Sequence, residues 1–401
     1  MKALPLSGIR VLDLSRVMAA PICAQALGDL GAEVIKVERP GVGDESRYYG
    51  ETLPDKDGRP SKDSAMYMAV NRNKKSITVD IAKPAGQDII RALAAKSDAV
   101  VENFRTGDLA RYRLDEASLK ALNPRLVYCS ITGFGHTGPD LHKPGYDPIF
   151  QARAGWMSVN GESDETPIIA AANMVDTVTG YVAAMSVLAA LYHRDRADDP
   201  AATGQSIDLA LLDTAFAAIN VRAQDYLISG RQPPRRQNLG SVVPCADGSL
   251  VVSAGSNANW QSLCRVIGRS DLGEDDRFAT HAGRNRHKRE IFGQVNEATR
   301  AWKMTDLAAA LEAAEVPAAP VLNFQQAFDQ PQARERGLRK RARHASGHDV
   351  DLVANPIHFS DTPLTAYQAP PQLGQHTGEV LRELLGMEET AIDALRRDGV
   401  I

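Results

Sequence analysis

Four short polar stretches stand at the ends of strand-like runs, and each carries groups suited to binding an anion. KVERPGVGD places Arg39 after EVIKVE, and VNRNKKS places Asn71, Arg72, Asn73, Lys74 and Lys75 just before SITVDI. VENFRTGDLAR places Asn103, Phe104, Arg105 and Arg111 after another run, and SITGFGHTGP is a glycine-containing loop after a further one. Guanidinium and ammonium groups pair with phosphate, and small residues let backbone N–H groups approach an anion. Any one stretch reads equally well as a solvated face. Their shared placement points to a polyphosphate ligand, and Phe104 between Asn103 and Arg105 suits a nucleotide with an aromatic base. One carboxylate also stands out. In AANMVDTVTGYVAAMSVLAALYHR, Asp176 heads a long apolar run. An aspartate there can accept from the exposed N–H groups of a helical first turn, and position alone favours that capping role.

The elements that would hold these groups alternate in the first third of the chain. IRVLDLS, EVIKVE, SITVDI, AVVENF and LVYCSITGF are β-rich, with helical material such as PICAQALGDLGA and PAGQDIIRALAAKS between them. Strand, helix, strand in succession predicts right-handed βαβ units and a parallel sheet. Ligands of such sheets bind outside the carboxyl ends of the strands. The run after Asp176 has helical periodicity. RQPPRRQNLGS reads as a linker, followed by a short strand and helices. The expected fold class is therefore α/β, with a Rossmann-like large domain over residues 1–225 and 333–401 and a smaller α+β domain over 226–332.

Composition narrows the function. The 401 residues carry Lys+Arg 46 against Asp+Glu 50, a formal charge of −4, so no global basic excess marks a nucleic-acid binder. Four scattered cysteines without a CxxC pair suggest neither a zinc site nor a disulfide framework. No metal site is expected. The N-terminus lacks the apolar core of a signal peptide, and no run reads as about 18 continuous apolar residues. The expectation is a soluble cytoplasmic protein with no membrane or nucleic-acid partner. VLDLS runs into RVMAAP with no glycine before Gly28, so a dinucleotide fingerprint is missing. Walker A, HExxH and GxSxG patterns are missing too.

The chain resembles the class III CoA-transferases, the CaiB/BaiF family, over nearly its whole length. The resemblance rests on PLSGIRVLDLSRVMAAPICAQALGDLGAEVIKVERPGVGD, NRNKKSITVD, VVENFRTG, SITGFGHTGP, GYDPIFQA, VDTVTG, TGQSIDLALLD and LGQHTGEVLRELLG, in that order. It implies coenzyme A or acyl-CoA as substrate, with no tightly bound cofactor. It implies CoA contacts at Met18, Ala19, Arg39, Asn71, Arg72, Asn73, Lys74, Asn103, Phe104, Arg105 and Arg111. It implies that Asp176 is the nucleophile, which would form a mixed anhydride and then an aspartyl-CoA thioester. It also implies an interlocked, ring-like homodimer.

Related racemases use a histidine where this chain has Tyr146, and tyrosine, with a pKa near 10, is a poor base for that proton. Formyl-CoA:oxalate transferases carry consecutive glycines where SAGSNANW stands. An oxalate enzyme is therefore not expected. Arg and polar groups near the small domain suggest a carboxylate acceptor, and the resemblance, through the family's common choices, implies a small dicarboxylate with succinyl-CoA as donor; Tyr146 is expected as a further substrate contact. His136 is expected to serve loop hydrogen bonding, and the NGESDETP turn or a small-domain loop to supply oxyanion donors. The alternatives are racemase-type proton transfer and a non-catalytic acyl-CoA binder.

Overall fold

The computed structural model describes residues 3–55, 57–161, 166–196, 201–235 and 240–401. The chain divides into two compact units. The first comprises Met1–Asn160, Pro167–Pro233 and Glu335–Ile401, and the second Gly161–Thr166 and Pro234–Arg334.

The first unit is built on a six-stranded parallel sheet. Its strands are β1 (Arg10–Asp13), β2 (Glu33–Glu38), β3 (Lys74–Thr78), β4 (Ala99–Glu102), β5 (Val127–Thr132) and β6 (Ser206–Ala210). They lie in the order β3-β2-β1-β4-β5-β6 and every neighbouring pair is parallel. This is the doubly wound order, with a switch point between β1 and β4. The strands are apolar on both faces because helices cover both. Alternation sorts the side chains: Leu12 and Val100 face a core shared with α2 (Pro84–Ala94), α3 (Glu116–Leu122), α6 (Thr377–Leu385) and α7 (Glu389–Arg397). Val11 and Val101 face the opposite core, shared with α1 (Ala19–Asp29) and α5 (Met174–Arg196). A further short helix, α4 (Asp147–Arg153), precedes α5.

Helix α5 corrects one expectation. It has 23 residues and a mean hydropathy of 1.6 over its most apolar window, enough by length and composition to cross a membrane. The threonines, serine and tyrosines that interrupt the apolar run add no charge, so length and hydropathy survive them. Here the helix lies along α1, with Ala183, Ala184, Val187 and Ala190 buried against Ala20, Cys23, Ala24 and Leu27. The two helices meet most closely at Gly180. A Cβ there would lie 2.6 Å from the Ala19 carbonyl oxygen and 2.6 Å from Ile22 Cβ, so only glycine permits this approach. Asp176, one turn earlier, is thereby brought beside the start of α1.

The second unit has a three-stranded antiparallel sheet, β7 (Gly240–Cys245), β8 (Gly248–Ser253) and β9 (Ala318–Pro320), with β8 central. Helices Asn257–Val266, Lys288–Thr299 and Met304–Ala313 pack on it around Trp260, Phe278, Ile291, Leu307 and Leu311. It is an α+β unit.

Candidate active site

At the switch point the connections after β1 and β4 diverge, leaving a crevice at the carboxyl ends of the strands. In the first unit this crevice is a cavity of about 450 Å³. Its walls are Arg16–Ala19 after β1, Asn103–Thr106 after β4, Ile131–Gly133 at the end of β5, the loop Leu141–Tyr146, and Asp176.

Asp176 lies in the first turn of α5, not ahead of it. The capping expectation is thus corrected. The residue before the helix is Asn173, with φ +45°, and the Asp176 N–H donates to Asp147 Oδ2 at 3.0 Å. Asp147, 2% exposed, therefore supplies the capping oxygen from the start of α4. Its other oxygen accepts from Gln151 Nε2. Gln151 also binds both the N–H and the carbonyl of Ala170, at 2.9 and 3.1 Å, which steadies the segment entering α5. With another residue doing the capping, the Asp176 carboxyl is left to the cavity. Burial raises its pKa to about 7, helped by the negative charge of Asp147. The group exchanges its proton near neutrality.

Met18, Ala19, Asn103, Phe104, Arg105, Tyr146 and Asp176 all line this cavity. Tyr146 is 70% exposed and directly precedes Asp147. Phe104 is half-buried under the Arg16 guanidinium, 4.7 Å from its ring centre. Arg105 is exposed and forms no ion pair with another described residue. Asn103 also holds the loop after β1. Its side-chain amide is committed to the backbone of Arg16, accepting from N–H and donating to the carbonyl, each at 2.8 Å.

The remaining expected contacts lie outside the cavity lining. Arg39 is exposed just past β2. Arg111 is exposed, lies over the Tyr112 ring at 4.7 Å and reaches Asp108 at 3.9 Å. Asn71–Lys74 sit at the amino end of β3 and are largely buried. Arg72 and Lys74, expected as CoA contacts, each hold a buried acidic partner. Arg72 forms a bidentate pair with Asp29, which also takes Asn73 Nδ2 at 2.8 Å. Lys74 Nζ meets Asp13 at 2.9 Å and the Asn71 side-chain oxygen at 2.9 Å. Burial pulls the Lys74 pKa down to about 8 despite Asp13. A phosphate would have to break a buried pair to reach either charge.

Sequence reasoning missed Arg16, His142 and Lys143, which also line the cavity. Arg16 carried a usable signal, since it lies in the first loop after β1, where a doubly wound sheet opens. His136 takes the loop role expected of it: its Nε2 lies 2.8 Å from Ser130 Oγ, and its N–H donates to Asp208 at 3.0 Å. It borders a second cavity of about 360 Å³ beside Glu102. Glu102 is 4% exposed, its pKa raised to about 7 by burial, and it accepts from the Phe104 N–H at 2.7 Å. Half of the NGESDETP turn, residues 162–165, lies outside the described residues. SAGSNANW belongs to the second unit, where the Gly255 carbonyl accepts from Arg284 at 2.8 Å.

Residues 6–377 match CoA-transferase family III. The chain belongs to that family. This CoA-transferase is 41% identical over 393 residues to the succinate–glutarate CoA-transferase of Agrobacterium fabrum, covering 96% of this chain and 97% of that one. It is 35% identical over 408 residues to the succinyl-CoA:glutarate CoA-transferase of Mus musculus, covering 99% and 90%. Among solved structures it resembles a CaiB/BaiF family protein from Brucella suis, with TM-score 0.86, 37% identity, and coverage of 96% of this chain and 100% of that one. The family III CoA-transferase thus has a carboxyl of near-neutral pKa in a crevice flanked by Arg16, Arg105 and Lys143.

Proposed function

We propose that the enzyme moves CoA from succinyl-CoA to a small dicarboxylate, with Asp176 as the nucleophile. The observation that carries this reading is the division of labour between Asp147, which caps α5, and Asp176, whose carboxyl is left to the cavity. The names of the relatives support the donor and acceptor classes.

An Asp176 oxygen attacks the thioester carbonyl carbon, and the tetrahedral adduct collapses by expelling CoA thiolate, leaving a mixed anhydride. The thiolate attacks the Asp176 carbonyl carbon and expels succinate, leaving an aspartyl-CoA thioester. The acceptor carboxylate attacks that carbonyl and again expels the thiolate, giving a second anhydride. Attack of the thiolate on the acceptor carbonyl yields the new acyl-CoA and restores the Asp176 carboxylate. Arg105, which forms no ion pair with another described residue, would bind a CoA phosphate, with Met18, Ala19 and Phe104 lining the same cavity. Arg39 and Arg111, exposed beyond the cavity, would meet outer parts of so long a ligand.

The test incubates the protein with succinyl-CoA and follows its intact mass, then maps the adduct by peptide. A mass gain on Asp176 that disappears when glutarate is added supports the reading. Transfer without any adduct, or an adduct on another residue, refutes it.

A homodimer belongs to the same proposal. Met174, Tyr181, Met185 and Tyr192 recur on one face of α5 and are 37, 46, 62 and 64% exposed. An apolar stripe of that kind fits a second copy of this chain. Light scattering that gives the 43.3 kDa monomer mass at micromolar concentration would overturn it.

A further inference from the structure

The loop from Ser15 to Met18 joins β1 to α1 and forms one wall of the cavity. It turns sharply without a glycine. Val17 takes the turn, at φ +67°. A β-branched residue in the left-handed region is strained, and such strain persists only where the surroundings over-determine it.

Five hydrogen bonds from side chains on other segments and on β1 hold the backbone of Ser15, Arg16 and Val17. Asp13 accepts from the Ser15 N–H at 2.9 Å, and Lys36 Nζ donates to the Ser15 carbonyl at 2.8 Å. Asn103 grips Arg16 at both its N–H and its carbonyl. Asp44 accepts from the Val17 N–H at 3.1 Å. Asp44 and Lys36 are themselves an ion pair at 2.8 Å, with side chains 1 and 0% exposed. Burial alone would raise the Asp44 pKa, but Lys36 and the backbone N–H groups of Ser46 and Val17 hold it well below the usual range. The carboxylate is therefore a permanent anion. The loop sits between two jaws, Lys36–Asp44 on one side and Asn103 on the other. Just beyond it, Met18 Sδ lies 3.3 Å from Asn173 Nδ2, and the Ala19 carbonyl lies against Gly180. The clamped backbone thus leads straight into the contact that sets α5, and with it Asp176.

We propose that Asp44 and Lys36 are positioning residues for CoA transfer: their buried pair holds Val17 in its left-handed turn and so fixes the backbone wall that faces Asp176. Neither residue lines the cavity; both act through the loop. Asp13 and Asn103 complete the hold. The inference rests on the transferase reading for its rate assay only.

The experiment is a double-variant cycle on the full chain with Asp44→Ala and Val17→Gly. The readouts are the single-turnover rate of Asp176 loading by succinyl-CoA, the Kd for CoA, and the unfolding midpoint. Misplacement by an ångström slows a positioned reaction about a hundredfold, so Asp44→Ala is expected to slow loading by about that factor while the Kd moves by about threefold or less. Glycine adopts a positive φ freely. In the Val17→Gly background the same Asp44 change should therefore slow loading about tenfold or less. Asp44→Asn keeps an oxygen for the Val17 N–H and should recover part of the lost rate. Equal slowing in both backgrounds overturns the proposal, as does an unchanged loading rate in folded Asp44→Ala. If Asp44→Ala does not fold, Asn103→Ala opens the opposite jaw without unpairing a buried charge. Loading at the wild-type rate by that variant overturns the clamp. If the wild type itself never loads, the transferase mechanism fails. The coupling between positions 17 and 44 is then read from the unfolding midpoints, where strict additivity overturns the clamp.

Discussion

Replacing Asp176 with asparagine separates ionisation from every other property of the residue. Its pKa stands near 7 in the folded protein against 3.8 for an ordinary aspartate, raised by burial and by Asp147. The folded protein therefore holds this proton more tightly than the unfolded chain does. The resulting stability is present in full below about pH 4 and is lost as the pH rises through about 7. A tenfold difference in proton affinity is worth about 1.4 kcal/mol, and a thousandfold difference sets a ceiling of about 4 kcal/mol above pH 7. The carboxyl borders an open crevice, and water screens part of this, leaving about 1–3 kcal/mol. Attraction of the carboxylate to the amino end of α5, worth about 0.3–1 kcal/mol, works against the raised pKa and keeps the expected difference inside that range. Asparagine keeps the shape and has no proton to lose. The variant should match the wild type near pH 4 and exceed its stability by about 1–3 kcal/mol near pH 8, while loading no acyl group. Urea unfolding across that range, beside the mass assay for loading, makes the comparison. A stability difference independent of pH would show that the Asp176 carboxyl is not held at a raised pKa, and the electrostatic account of the site would fail with it.

Four further outcomes follow from the geometry. Asp147→Asn keeps an oxygen for the Asp176 N–H but removes the neighbouring charge, so the acid limb of the loading rate should move to lower pH; an unmoved limb refutes the coupling. Gly180→Ala places a methyl 2.6 Å from the Ala19 carbonyl oxygen. Overpacking at about 1–3 kcal/mol outweighs the roughly 1 kcal/mol gained in helix propensity, so thermal unfolding should come earlier and loading should slow. Lys74→Met takes the paired ammonium from buried Asp13, leaving it Ser15 and the field of Lys36, and should cost about 3 kcal/mol. Arg105→Ala should leave stability within about 0.5 kcal/mol yet weaken CoA binding by about 1.5–3 kcal/mol, measured by calorimetry. The reverse pattern would return Lys74 to the ligand and Arg105 to the scaffold.

The strands of the sheet were legible because parallel strands buried on both faces leave long apolar runs, and EVIKVE matches β2 residue for residue. Strand order was not legible. Nothing local in AVVE says that it pairs with β1 rather than with the strand before it in sequence; that pairing follows from helices covering both faces of the sheet. The order matters because it creates the switch point. Without it, Arg16 is one more polar residue after a strand.

The basic clusters show the same boundary from the other side. Arg72 and Arg105 each stand within two residues of an asparagine at a strand end, and composition cannot tell them apart. The fold does. Arg105 follows β4 at the carboxyl end of the sheet, in the crevice wall, and meets no carboxylate among the described residues. Arg72 precedes β3 at the opposite end, where Asp29 at the end of α1 waits for it. A cation's role here depends on which end of a parallel strand carries it and on whether a buried acid from a distant segment reaches it first. Asp176 followed the same logic. Its place at a helix start suggested a cap, but the capping oxygen came from Asp147, 29 residues earlier. Contact across that separation, invisible to any local pattern, is what leaves the Asp176 carboxyl for chemistry.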